Sequence, residues 1–177
     1  MRRITLDNLT VHTRPANRQQ GVLAAGHGLI KVALGRSGIK TNKREGDGAT
    51  PAGSYRLVRL WWRPDRFQRP RTLLPVRRIS TFDGWCEDPS DRRYNRAVKI
   101  LPGQPGDRLQ RSDKLYDLVI EIDHNARPRI AARGSAVFIH VARPGLAPTA
   151  GCIALPIGTL KLILARVGPK TRINIHR

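Results

Sequence analysis

Residues 135–155 read SAVFIHVARPGLAPTAGCIAL. Two apolar runs, 136–141 and 152–155, flank a loop that carries Pro144, Gly145 and Pro148, and runs joined in this way read as neighbouring strands. His140 stands at the end of the first run and Cys152 at the start of the second. Paired strands lie about 5 Å apart, so an imidazole on one can reach a thiol on the other. A free cysteine is only a few per cent thiolate near neutral pH, and an adjacent histidine raises that fraction.

Outward from this stretch the pattern is mostly β. Residues 4–13 alternate as a strand. Residues 21–34 read as a hairpin around Gly26-His27-Gly28, and residues 54–62 as a strand ending in Trp61 and Trp62. KREGDGATPAG (43–53) has no apolar period and reads as a loop. The Arg- and Pro-rich stretch 63–78 argues against a central strand. FDGWCEDPSDRRYNR (82–96) reads as a long ordered loop, with short strands at 98–101 and 116–123 and a turn at Asn125. Residues 156–167 space their apolar side chains as a helix, with Pro156 suited to its first turn and Gly168-Pro169 to stop it, and residues 171–176 form a last strand. The expected class is mainly β, a sandwich or partly open barrel with one C-terminal helix and long loops, in a single domain spanning 1–177.

Lysine and arginine number 33 against 13 acidic residues, a formal charge of +20. Such a field attracts polyanions: nucleic acid, an anionic lipid surface or an acidic wall polymer. Two cysteines, Cys86 and Cys152, are expected as free thiols, because a permanent disulfide would silence a nucleophile. They and five scattered histidines show no zinc-ligand spacing, so neither metal nor organic cofactor is expected. No run approaches the ~20 apolar residues of a membrane span, and the N-terminal stretch lacks the apolar segment of a secretory signal.

If Cys152 attacks, it needs a base, a group to orient that base, and donors for an oxyanion. His140 is the base that the strands bring nearest. No acidic residue follows Asp123, so the orienting acceptor is a backbone carbonyl or an acid from earlier in the chain. The N–H groups of Gly151 and Cys152 are the oxyanion candidates, with Thr149 adding a hydroxyl. Trp85, Tyr94 and Asn95 suggest either a substrate wall or a loop tied by Asx turns with Trp85 plugging the core. Trp61 and Trp62 beside Arg63 and Arg66 suggest base stacking, glycan contact or packing, with one ring turned inward.

The segment GSAVFIHVARPGLAPTAGCIAL resembles the catalytic core of the L,D-transpeptidase (YkuD-type) family, which carries an upstream histidine and then an [S/T]-x-G-C block. KREGDGATPAGSYRL resembles its T-P-x-G-x-[FY] turn through Thr50, Pro51, Gly53 and Tyr55. WCEDPSDRRYNR and YDLVIEIDHN resemble blocks of a small bacterial branch of the family. The resemblance implies a cysteine acyltransferase on peptidoglycan stem peptides, forming crosslinks at diaminopimelate of the 3-3 or L-Ala–diaminopimelate 1-3 type. Cys152 would be the nucleophile, His140 the base, and Gly151 part of the oxyanion hole. Two departures stand out: Ala150 replaces a second family histidine, and Ala154 replaces a frequent polar residue. Arg143 is the candidate to supply the lost carboxylate contact. A carboxypeptidase or endopeptidase of the same fold, and a basic nucleic-acid-binding module using residues 56–78, are the alternative functions. The implied substrate points to the periplasm or cell envelope, while the N-terminal sequence leaves the cytoplasm open.

Overall fold

A computed structural model describes residues 5–177. Ile4, where the sequence reading starts its first strand, lies outside them. The strands are β1 (Asn8–Arg14), β2 (Asn17–Ala25), β3 (Gly28–Ala33), β4 (Ile39–Lys40), β5 (Thr50–Pro51), β6 (Gly53–Trp62), β7 (Val76–Arg78), β8 (Asp83–Trp85), β9 (Ala97–Lys99), β10 (Asp107–Arg108), β11 (Leu118–Ile122), β12 (Phe138–Val141), β13 (Ile153–Leu155) and β14 (Arg172–His176). One helix, α1 (Ile157–Leu164), precedes β14.

Eight strands run in the order β11-β12-β13-β3-β2-β1-β14-β6, and β6 pairs back onto β11 to close the ring. The long β6 makes closure possible by dividing its length: residues 53–56 pair with β14 and residues 57–62 with β11. The weakest seam is β13–β3, held by the single register pair Ala154–Ala33. The result is the expected mainly β, partly closed barrel with one C-terminal helix. Pro156 caps α1 rather than entering its first turn.

Side chains alternate across a strand, and here both faces are covered. Leu60, Trp62, Ile120, Ile139, Val141, Ile153 and Leu155 join Leu160, Ile163 and Leu164 of α1 in the main core. Their neighbours Trp61, Val119, Phe138 and Cys152 face the other way, into a second cluster with Trp85, Leu109 and Tyr116. The small sheet β10-β8-β9 covers that second face. Strand β8 therefore lies within the stretch read from sequence as loop, since its three residues are too few to show a period.

The expectation that one tryptophan packs inward understates the burial. Trp61 and Trp62 are 1% and 5% exposed, one on each face. Trp61 donates its indole N–H to Glu121 at 2.9 Å and Trp62 to the Phe67 carbonyl at 3.2 Å. Arg77 and Arg78 stack over these rings instead of presenting them to a ligand. The stacking platform that the nucleic-acid reading required is absent from this pair. Among the described residues, no helix is long and apolar enough to cross a membrane.

Candidate active site

Strands β12 and β13 are parallel neighbours in which His140 sits opposite Ala154. Cys152 lies two residues before Ala154, so its side chain leaves the sheet on the same face as His140. Both line one cleft of about 610 Å³. Cys152 is 7% and His140 5% exposed, so the cleft is the route by which a substrate reaches them. The thiol donates to the Ala136 carbonyl at 3.2 Å and accepts from the Phe138 N–H at 3.4 Å.

His140 is oriented by the main chain. Its Nδ1 lies 2.8 Å from the Val141 carbonyl. A carbonyl can only accept, so Nδ1 carries the proton and Nε2 of the neutral ring is the basic nitrogen. Tyr116 meets the imidazole edge to face at 5.3 Å. Burial, with Arg111 and Arg143 adding to it, pushes the imidazole down to about 4. Burial pushes the Cys152 thiol up to about 12; the Phe138 N–H opposes this, and Asp107 and Glu87 add to it. The resting pair is therefore neutral thiol and neutral imidazole. This corrects the expectation of an imidazole-raised thiolate fraction: desolvation of both partners outweighs their attraction.

The turn before Cys152 is braced from within. Gly151 has φ +147°, and a Cβ there would come within 2.8 Å of the Ala49 carbonyl, so only glycine fits. Its N–H donates to Thr149 Oγ1 at 3.1 Å, and Thr149 Oγ1 donates to the Cys152 carbonyl at 2.7 Å. The Gly151 amide, expected to face an oxyanion, is thus occupied in this structure. Thr149 ties the turn instead of offering its hydroxyl to a ligand. The Cys152 N–H has no hydrogen-bond partner among the described residues and is the amide left for an oxyanion.

The cleft walls carry both signs of charge: Arg36, Lys43, Arg111 and Arg143 against Glu45, Glu87 and Asp107. Arg143 is exposed, and its guanidinium has no hydrogen-bond partner among the described residues. Ala150 and Ala154 line the cleft as well, leaving space where the family's larger polar side chains would stand. Glu87 reaches solvent, yet the protein around it, with Asp107 and Glu45, pushes its carboxyl up to about 7. Asp107 is also raised by burial and accepts from the Tyr116 hydroxyl at 2.9 Å. Sequence reasoning missed Lys43, Glu87 and Asp107 as site residues. They come from three separate loops and strands, and no local spacing ties them to Cys152.

Trp85, Tyr94 and Asn95 are buried, and none lines this cleft. Their placement corrects the substrate-wall expectation in favour of the tied loop. Asn95 Oδ1 accepts from Trp85 Nε1 at 2.9 Å and from the Ala136 N–H at 3.2 Å. Its Nδ2 donates to the carbonyls of His124 and Asn125 at 3.0 and 2.9 Å. Tyr94 donates to Glu45 and accepts from the Gly134 N–H. Cys86 and Cys152 are both free, and Cys86 lies outside the cleft.

The family model for the L,D-transpeptidase catalytic domain (YkuD) matches residues 10–175. The chain belongs to this family, whose substrates are peptidoglycan. Comparison with curated proteins and with solved structures gave no match.

Proposed function

We propose that the protein is a cysteine acyltransferase on peptidoglycan stem peptides, working through a thioester on Cys152 in the cell envelope. The observation that carries this is the shared cleft face of Cys152 and His140, with Nδ1 of His140 tied to the Val141 carbonyl and Nε2 left basic. The Cys152 thiol gives its proton to His140 Nε2 as sulfur attacks the donor carbonyl. The oxyanion forms against the Cys152 N–H. Collapse returns the proton to the departing amine and leaves a thioester. The acceptor amine then attacks, loses its proton to His140, and releases an amide with the thiol restored. His140 takes the proton in each attack and returns it in each collapse, so the cycle ends with both groups neutral.

Arg143 supports a substrate bearing a carboxylate, such as the diaminopimelate of a donor stem: its guanidinium is unengaged at the cleft. Incubation with purified muropeptides followed by mass spectrometry tests the proposal. The expected result is an acyl adduct on Cys152 and a crosslinked dimer, whose fragmentation gives the 3-3 or 1-3 linkage. Free stem acid without dimer assigns a carboxypeptidase or endopeptidase. No adduct and no product would overturn the reading.

A further inference from the structure

Lys43 is a buried cation that the acyl-transfer cycle above leaves unused. Its side chain is 7% exposed and lines the same cleft as Cys152. It lies in a slot formed by two glycines. A Cβ on Gly134 would come within 2.9 Å of Lys43 Cγ, and one on Gly151 within 3.7 Å of Lys43 Cε. The end of the stem thus packs beside the residue that precedes the nucleophile.

The ammonium donates to the Arg44 carbonyl at 2.7 Å and to Asp47 at 2.5 Å. Asp47 shares its charge among three donors, since it also accepts from the Arg44 and Ala49 N–H groups at 3.0 and 2.8 Å. Those donors and Lys43 hold its carboxyl below the usual range against the opposing effect of burial. Lys43 lines the cleft with Cys152 and Asp47 does not. A lysine has three N–H groups, and Arg44 and Asp47 take two of them.

We propose that the Lys43 ammonium is the fixed positive charge that stabilises the Cys152 thiolate. The inference rests on the reading of Cys152 as nucleophile. A positive charge in the same cleft, beside the residue that precedes the thiol, favours its ionised form. Apart from the Phe138 N–H, which also favours the anion, the side chains that act on the sulfur are adverse or neutral: Asp107 and Glu87 disfavour the anion, Tyr116 is a buried phenol, and His140 is uncharged. Lys43 is the cation that counters them. A thiolate formed during attack therefore meets a positive charge already in place, at no cost in reorganisation.

The test is alkylation of Cys152 by iodoacetamide in the full chain on a Cys86→Ala background, followed by intact mass from pH 6 to 10. Lys43→Met should slow modification about threefold at pH 8 and displace the rate profile to higher pH, with Lys43→Arg restoring most of the rate. A Lys43→Met profile that superposes on the parent, in a protein with unchanged circular dichroism, overturns the proposal. If Lys43→Met does not fold, Lys43→Gln gives the same reading, because it keeps a donor and drops the charge. The assay needs no peptidoglycan. A protein that fails to act on muropeptides but shows the Lys43 effect would sink the transferase reading and leave this inference standing.

Discussion

The Phe138 N–H points at the sulfur of Cys152 from 3.4 Å, across the edge where β12 begins beside the Thr149–Cys152 turn. This bond lowers the thiol's proton affinity, while the burial that makes it possible raises that affinity further. Ala136 completes the contact by accepting the thiol proton at 3.2 Å. The sulfur is thus oriented by two main-chain groups rather than by a side chain.

Replacing Cys152 with alanine should therefore abolish transfer while the fold persists, because it removes one atom from a site framed by backbone. Cys86→Ala should keep most of the activity, since Cys86 lies outside the cleft. Muropeptide turnover measured beside far-UV circular dichroism checks both. Activity retained by Cys152→Ala would remove the nucleophile assignment.

His140 carries two expectations. Loss of the general base in His140→Gln should lower turnover about 10²-fold or more. The imidazole is also depressed to about 4, below the ~6.5 expected of the unfolded chain. Between those values the unfolded state binds the proton and the folded state does not. The stability linked to this group is present above about pH 6.5 and is lost as the pH falls towards 4. Relative to His140→Gln, the wild type should lose on the order of 3 kcal/mol across that window. Urea titrations of both proteins at several pH values give the difference directly, and parallel curves would refute the buried neutral imidazole.

The Asn95 side chain makes four hydrogen bonds, to Trp85, Ala136, His124 and Asn125, from a backbone at φ 53°. Asn95→Ala leaves those buried partners unpaired and places alanine in the left-handed region that asparagine tolerates better. We expect a loss of about 2–4 kcal/mol in urea unfolding. The KM for donor should stay within a few-fold of wild type, whereas a substrate-wall residue would raise KM at unchanged stability.

Asn95 also marks where the sequence stopped being legible. The two apolar runs 136–141 and 152–155, joined by a Pro/Gly loop, placed His140 and Cys152 on adjacent strands, because buried strands show as apolar runs bounded by turn residues. The ring closure was less visible: β6 holds three partners along ten residues, and nothing in GSYRLVRLWW announces where one partner yields to the next. Trp85, Tyr94 and Asn95 have the composition of a binding wall, but polar groups that satisfy one another and polar groups that await a ligand look alike in sequence. Lys43 was hidden for a further reason. Its role depends on Gly134 and Gly151, which are distant in the chain and meet only in the fold.

Thr149 joins the Gly151 N–H to the Cys152 carbonyl through one hydroxyl. Thr149→Val keeps the shape and removes both bonds, so the nucleophile turn should loosen at a cost of about 1–2 kcal/mol. The kinetic signature should be a fall in kcat of about tenfold with KM little changed, because the hydroxyl positions the attacking residue. Thr149→Ser should recover the rate. A rise in KM alone would instead assign the hydroxyl to substrate.

Arg143 offers the opposite signature. It stands exposed at the cleft that Ala154 also lines, and can hold a carboxylate through two parallel bonds. An interaction made equally with substrate and transition state lowers KM without changing kcat. Arg143→Ala should accordingly raise KM about tenfold for a donor stem bearing that carboxylate, and leave KM unchanged for the same stem amidated at that position. Arg143→Lys should recover only part of the loss, since an ammonium keeps the charge but not the fork geometry. Equal KM values for Arg143→Ala and wild type on both donors would show that the carboxylate is held elsewhere, with Arg36 the next cation on the wall to examine.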